Sequence, residues 1–154
     1  MNGGEIVKKI LGTLVLVGIV LATVTGCTTT KSYTYGVETG DSIKIELNTS
    51  DGYDITSNLP FTISKEDKIL SQGTFITLDA YNQYLAAVNG DLNSKILDSG
   101  SKGGITYTFY SYNNSEFNYI IKIDGSKTGI LLGNQNSQIE AQECFNRLTF
   151  SLVK

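Results

Sequence analysis

Apolar and polar positions alternate along most of this chain, and the places where the period changes mark its elements. Ser42–Asn48 sets Ile43, Ile45 and Leu47 on one face and Lys44 and Glu46 on the other, the pattern of a half-buried strand. Asp51-Gly52-Tyr53-Asp54 reads as a turn, and Pro60 opens a strand with Phe61 and Ile63 facing inward. Residues 64–68 form a charged turn and residues 69–78 return, so 60–78 is a predicted hairpin. The period then becomes helical. Tyr81, Tyr84, Leu85 and Val88 fall at i, i+3, i+4 and i+7, behind Asp79 as a cap and ahead of Gly90 as a stop.

Strand patterning resumes at 95–98, followed by a Ser/Gly connection over 99–104. Residues 105–112 set Ile105, Tyr107 and Phe109 against Thr106, Thr108, Tyr110 and Tyr112. Residues 117–124 repeat the pattern, Asp124-Gly125 turns the chain, and 128–132 return it, which predicts a three-strand meander. Ser137-Gln138-Ile139-Glu140 fits a capping box, and Ala141, Cys144, Phe145 and Leu148 supply the buried stripe of a second helix. Residues 149–153 close the chain as a strand. No long crossover joins parallel strands, so the expected class is α+β: one antiparallel sheet of about six or seven strands packed with two helices.

The start of the chain follows another rule. Lys8 and Lys9 precede an uncharged apolar run over 10–25, shorter than the roughly 20 apolar residues of a spanning helix and without a basic stop-transfer flank. That is the shape of a signal peptide. Val24-Thr25-Gly26-Cys27 resembles the lipobox of bacterial lipoprotein precursors: a branched apolar residue, two small residues, then a cysteine. The resemblance implies cleavage before Cys27 and acylation of its thiol, and two or three acyl chains would hold the protein stably at a membrane. The implied organisation is a signal peptide over 1–26, a polar tether over 27–40 and a single globular domain over 41–154. Tyr33 and Tyr35 make the inner boundary of the tether soft, because they have the spacing of a first strand. The implied address is the extracytoplasmic face of the cell membrane.

Charge and composition narrow the chemistry. The full chain carries a net charge of −3, and loss of Lys8, Lys9 and Glu5 makes the remainder more acidic. Without a cluster of Lys and Arg to displace phosphate counterions, nucleic acid is not an expected partner. The chain has no histidine, which removes the usual general base, the usual metal ligand and the serine or cysteine triad. With Cys27 acylated, Cys144 has no disulfide partner and is expected to be a core thiol. Neither a cofactor nor a metal is implied. The acidic turns around Asp51, Asp54, Glu66, Asp67 and Asp124 lack calcium-loop spacing.

Asp98-Ser99-Gly100 resembles the Asp-Ser/Thr-Gly segment of retroviral-type aspartic proteases, and Ile130-Leu131-Leu132-Gly133 resembles their later apolar strand. The stretch between Asp98 and Gly133 is short for the flap that chemistry needs, and Asp-Ser-Gly is common turn chemistry. Tyr110 and Tyr112 are candidates for a binding surface, since a phenol joins a large ring to a polar tip. The alternative is that a helix covers them.

The order of elements resembles Mog1/PsbP-like domains of bacterial lipoproteins. The hairpin Asp124-Gly125-Ser126-Lys127-Thr128-Gly129-Ile130, the helix over 137–148 and the last strand Leu148-Thr149-Phe150-Ser151 carry it. The chain lacks the tryptophan with which such domains often open. The resemblance implies a non-catalytic accessory domain. The leading expectation is therefore a non-enzymatic lipoprotein that holds membrane lipid through acylated Cys27 and binds an envelope protein or other envelope component. The alternative is a small-molecule or glycan-binding lipoprotein, for which a pocket near Tyr110 and Tyr112 is the discriminating feature. A hydrolase built from carboxylates ranks third.

Overall fold

The computed structural model describes residues 20–22, 29–134 and 136–154. The lipobox and Cys27 lie outside the described residues, as does nearly all of the apolar run. The strands are β1 (Val20–Ala22), β2 (Thr30–Gly36), β3 (Ser42–Asn48), β4 (Tyr53–Ile55), β5 (Phe61–Lys65), β6 (Lys68–Thr77), β7 (Ser94–Lys102), β8 (Ile105–Tyr112), β9 (Glu116–Ile123), β10 (Thr128–Asn134) and β11 (Leu148–Val153). The helices are α1 (Leu78–Gly90) and α2 (Gln138–Asn146). Among the described residues, no helix is long and apolar enough to cross a membrane.

The class is α+β with antiparallel pairing, as the patterning predicts, but the strands form two sheets instead of one. A seven-stranded sheet runs β4-β5-β6-β10-β9-β8-β7. A small sheet joins β2, β3 and β11, with β1 paired at the outer edge of β2. Alternation specifies which face of a strand is buried, not which strand lies beside it, and here the last strand returns to pair with β3, Phe150 opposite Ile45.

The inner faces of the two sheets make the main core. Ile43, Ile45 and Leu47 of β3 and Tyr35 of β2 meet Phe61, Ile63, Phe75, Phe109, Ile121 and Ile130 of the large sheet, all at most 1% exposed. Each such aliphatic or phenyl group contributes about 1.5–3 kcal/mol relative to exposure. Helix α2 fills the rest of this layer. Phe145 stacks on Tyr119 at 3.9 Å, Tyr119 stacks on Phe109 at 4.3 Å, and the Lys102 ammonium lies 4.0 Å from the Phe145 ring centre. Cys144 is buried here, and burial pushes its thiol up, as a core thiol requires.

The outer face of the large sheet holds a second cluster, in which Ala80, Tyr81, Tyr84 and Val88 of α1 cover Ile76, Tyr110 and Ile120. A side chain at position 129 would block this approach. A Cβ there would lie 2.9 Å from the Ile121 carbonyl and 3.4 Å from Tyr81 Cβ, so glycine lets α1 settle on the sheet.

Several boundaries move from their expected places. In the segment expected to be a tether, Thr30–Gly36 forms β2 and Tyr35 is fully buried, so the sheet starts earlier than residue 41. The 51–54 turn shortens to a single 3-10 turn at Ser50–Gly52, and Tyr53–Ile55 enters the large sheet. Thr77, not Asp79, caps α1 by accepting from the Ala80 amide at 3.2 Å. The Ser/Gly connection is mostly strand: β7 continues to Lys102, and Gly103 and Gly104, both at positive φ, make the turn. Leu148 belongs to β11. The capping box forms in altered geometry. Ser137 Oγ accepts the Glu140 amide and donates to the Glu140 carboxylate, while the Ser137 amide is taken by Asn134 Oδ1.

Candidate functional site

The register of four strands builds the site. Gln72 of β6 stands opposite Gly133 of β10, Gly133 opposite Asn118 of β9, Asn118 opposite Tyr110 of β8, and Tyr110 opposite Ile96 of β7. Directly paired residues point to the same face, so these form one row across the outer face of the large sheet. The next row, Thr74, Leu131, Ile120 and Thr108, meets α1 through Leu131 and Ile120. Beyond the edge of the helix the sheet is left open as a groove of about 760 Å³, within the size range of ligand sites.

Tyr84, Ala87, Val88 and Asp91 make the wall on the α1 side, and Tyr112, Glu116 and Asn136 belong to the remaining rim. Gly133 interrupts the floor. A Cβ at that position would lie 3.0 Å from Asn118 Oδ1, so the carboxamide occupies space that a side chain would take. Among the described residues the lining contains the carboxylates of Asp91 and Glu116 and no Lys or Arg.

Some of these polar groups are already spent. Asn134 Oδ1 accepts from the Asn136 amide at 2.8 Å, and Asn136 Nδ2 donates to the carbonyls of Ile69 and Leu70, which closes the rim between β10 and β6. Asp91 Oδ1 accepts from the Asn93 amide after the helix. The side chains of Gln72, Asn118, Tyr112 and Glu116 make no hydrogen bond with another described residue. Tyr84 is the extreme case: it is 3% exposed, and its hydroxyl is buried without a partner among the described residues. A buried polar group left unpaired costs about 1–3 kcal/mol, which is why such groups are rare.

The two tyrosines singled out from the sequence both line this groove. Tyr110 is 6% exposed, largely covered by α1, and its phenol is pushed up first by burial and then by Tyr84 and Glu116. Tyr112 is half-buried against the same cluster. Gln72, Asn118 and Tyr84 were not legible as site residues, because only pairing between distant strands brings them together.

The other candidates take structural places. Asp98 sits beside a bulge in β7, not in a turn, where its carboxylate accepts from Tyr107 Oη at 3.0 Å and from the Ser99 amide. Ile130–Gly133 lies in β10, and β8 and β9 stand between that strand and β7. Asp51 pairs with Arg147 at 2.6 Å, which holds its carboxyl below the usual range, and Asp54 pairs with Lys31 at 2.7 Å. Among the described residues, no three His, Cys, Asp or Glu side chains gather as a metal set.

No protein-family model matches the chain, and neither a curated protein nor a solved structure shows significant similarity to it.

Proposed function

We propose that this chain is a lipid-anchored, extracytoplasmic, non-enzymatic binding domain whose small ligand lies in the groove beside α1. The observation that carries the binding reading is the groove itself, where the carboxamides of Gln72 and Asn118 and the phenols of Tyr84 and Tyr112 border the apolar side chains of Leu131 and Val88. Its position at Tyr110 and Tyr112 favours the small-molecule or glycan alternative over an envelope protein. Among the described residues the large apolar side chains left exposed are Ile69, Leu92, Ile96, Ile139 and Val153, of which Ile69 lines the groove and Ile96 stands beside Tyr110 in its row.

The anchoring reading rests on Val24-Thr25-Gly26-Cys27 and the apolar run before it. The non-enzymatic reading rests on a chain without histidine whose Cys144 thiol is buried and pushed up. The Mog1/PsbP-like assignment is a proposal about the scaffold, supported by the hairpin of β9 and β10, then α2, then β11 in chain order. Mass spectrometry of the membrane-extracted protein tests the anchor. Acylated Cys27 as the N-terminal residue is expected, with release of a Cys27→Ser form from the membrane. An unmodified thiol at Cys27 with the leader retained would refute it.

A further inference from the structure

We propose that the groove takes an uncharged sugar ring of a glycan, seated over Gly133 between Gln72 and Asn118, with the Tyr84 hydroxyl completing its hydrogen bonds. This rests on the groove being a ligand site and adds the chemical class of the ligand.

Neighbouring strands lie about 4.8 Å apart, so the backbones at Gln72 and Asn118, on either side of β10, are separated by about 10 Å. Gly133 itself adds no side chain between them, and Asn118 Oδ1 leans over it, so a ring seated there meets that carboxamide directly. Each carboxamide both donates and accepts, as each sugar hydroxyl does, so two such groups can bracket a polyol without burying a charge. Leu131 and Val88 offer apolar surface to the C–H face of a ring, and Tyr112 adds an aromatic edge.

The lining also argues against other classes. An anion would find no Lys or Arg among the described lining residues and would face Glu116 and Asp91. A wholly apolar ligand would cover Gln72, Asn118 and Glu116 without satisfying them. A polyamine would find Glu116 as its one unspent carboxylate among the lining residues, with carboxamides and phenols elsewhere. The buried Tyr84 hydroxyl is the independent sign of a ligand, because a sugar hydroxyl would supply the partner it lacks.

The test is isothermal titration of the full chain in detergent micelles with chitotriose and cellotriose, with a sulfated oligosaccharide and spermidine as charged controls. The expected result is saturable binding of at least one neutral trisaccharide and neither control. Asn118→Ala and Tyr84→Phe should each weaken it about tenfold, the scale of one lost hydrogen bond in a closed site. Gly133→Val should abolish it by filling the seat. Tyr84→Phe should melt no lower than the wild type, which separates lost recognition from lost folding. Absence of neutral-sugar binding, or binding indifferent to all three substitutions, overturns the inference. Should a charged control bind instead and Gly133→Val block it, the sugar assignment fails while the groove stands as a ligand site.

Discussion

Gly73→Ala probes the packing beneath the groove. A Cβ at position 73 would lie 2.1, 2.5 and 2.7 Å from three atoms of the Phe61 ring, far inside van der Waals contact. That ring has little freedom to move, because Phe61 is fully buried and packs against Tyr35 at 6.4 Å and Phe75 at 6.2 Å. Either β6 bends away from β5 or the phenyl group leaves its rotamer; overpacking costs about 1–3 kcal/mol, and the overlap with three ring atoms puts this site at the upper end, about 2–3 kcal/mol. For a domain of this size that corresponds to a fall of about 4–10 °C in melting temperature. The intrinsic benefit of replacing glycine in a strand, about 0.4–1 kcal/mol, recovers part of it. The assay is urea denaturation of the wild type, Gly73→Ala, Phe61→Leu and the double variant. Phe61→Leu alone costs about 1–2 kcal/mol, and shrinking the ring should rescue the alanine, giving a favourable coupling of about 1 kcal/mol or more. A Gly73→Ala protein within about 0.5 kcal/mol of the wild type, or strict additivity, would refute the contact.

Two further outcomes follow from local chemistry. Burial raises the phenols of Tyr35, Tyr84, Tyr110 and Tyr119 above their ordinary value of 10.0, so the folded state keeps protons that the unfolded state loses. Their contribution is complete below pH 10 and is lost as pH rises through the raised values. The urea midpoint should be insensitive to these groups up to pH 10 and fall beyond it, by as much as about 1.4 kcal/mol per pH unit for each tyrosine; a flat midpoint through pH 11.5 would contradict their burial. Ser137→Ala removes both the acceptor for the Glu140 amide and the partner of its carboxylate, and should cost about 1 kcal/mol in thermal denaturation, with Ser137→Thr recovering most of it.

Local signals in the sequence survive folding well. The alternation in β3, β8 and β9 places Ile45, Phe109 and Ile121 in the core, the stripe of Tyr81, Tyr84 and Val88 faces the sheet, and Ser137 caps α2. Information about partners does not survive in the same way. That β11 returns to β3 in a separate sheet depends on pairing across almost the whole chain, which periodicity cannot encode. The same limit hides the groove. Tyr110 was visible as an outward aromatic, but Gln72, Asn118 and Gly133 carry no local mark, and only the β6-β10-β9 register makes them neighbours. Small polar residues favour turns, so the Ser/Gly stretch over 99–104 predicts a connection. Pairing with β8 holds it as strand through Lys102.

The central claim is that the outer face of the large sheet beside α1 seats an uncharged sugar ring. Amide NMR spectra of isotopically labelled protein titrated with chitotriose and, separately, cellotriose read this residue by residue. The account predicts saturating shifts centred on Gln72, Tyr84, Asn118 and Gly133, with the small sheet around Ile45 unmoved. Shifts centred on the small sheet, or none at millimolar sugar, would contradict it.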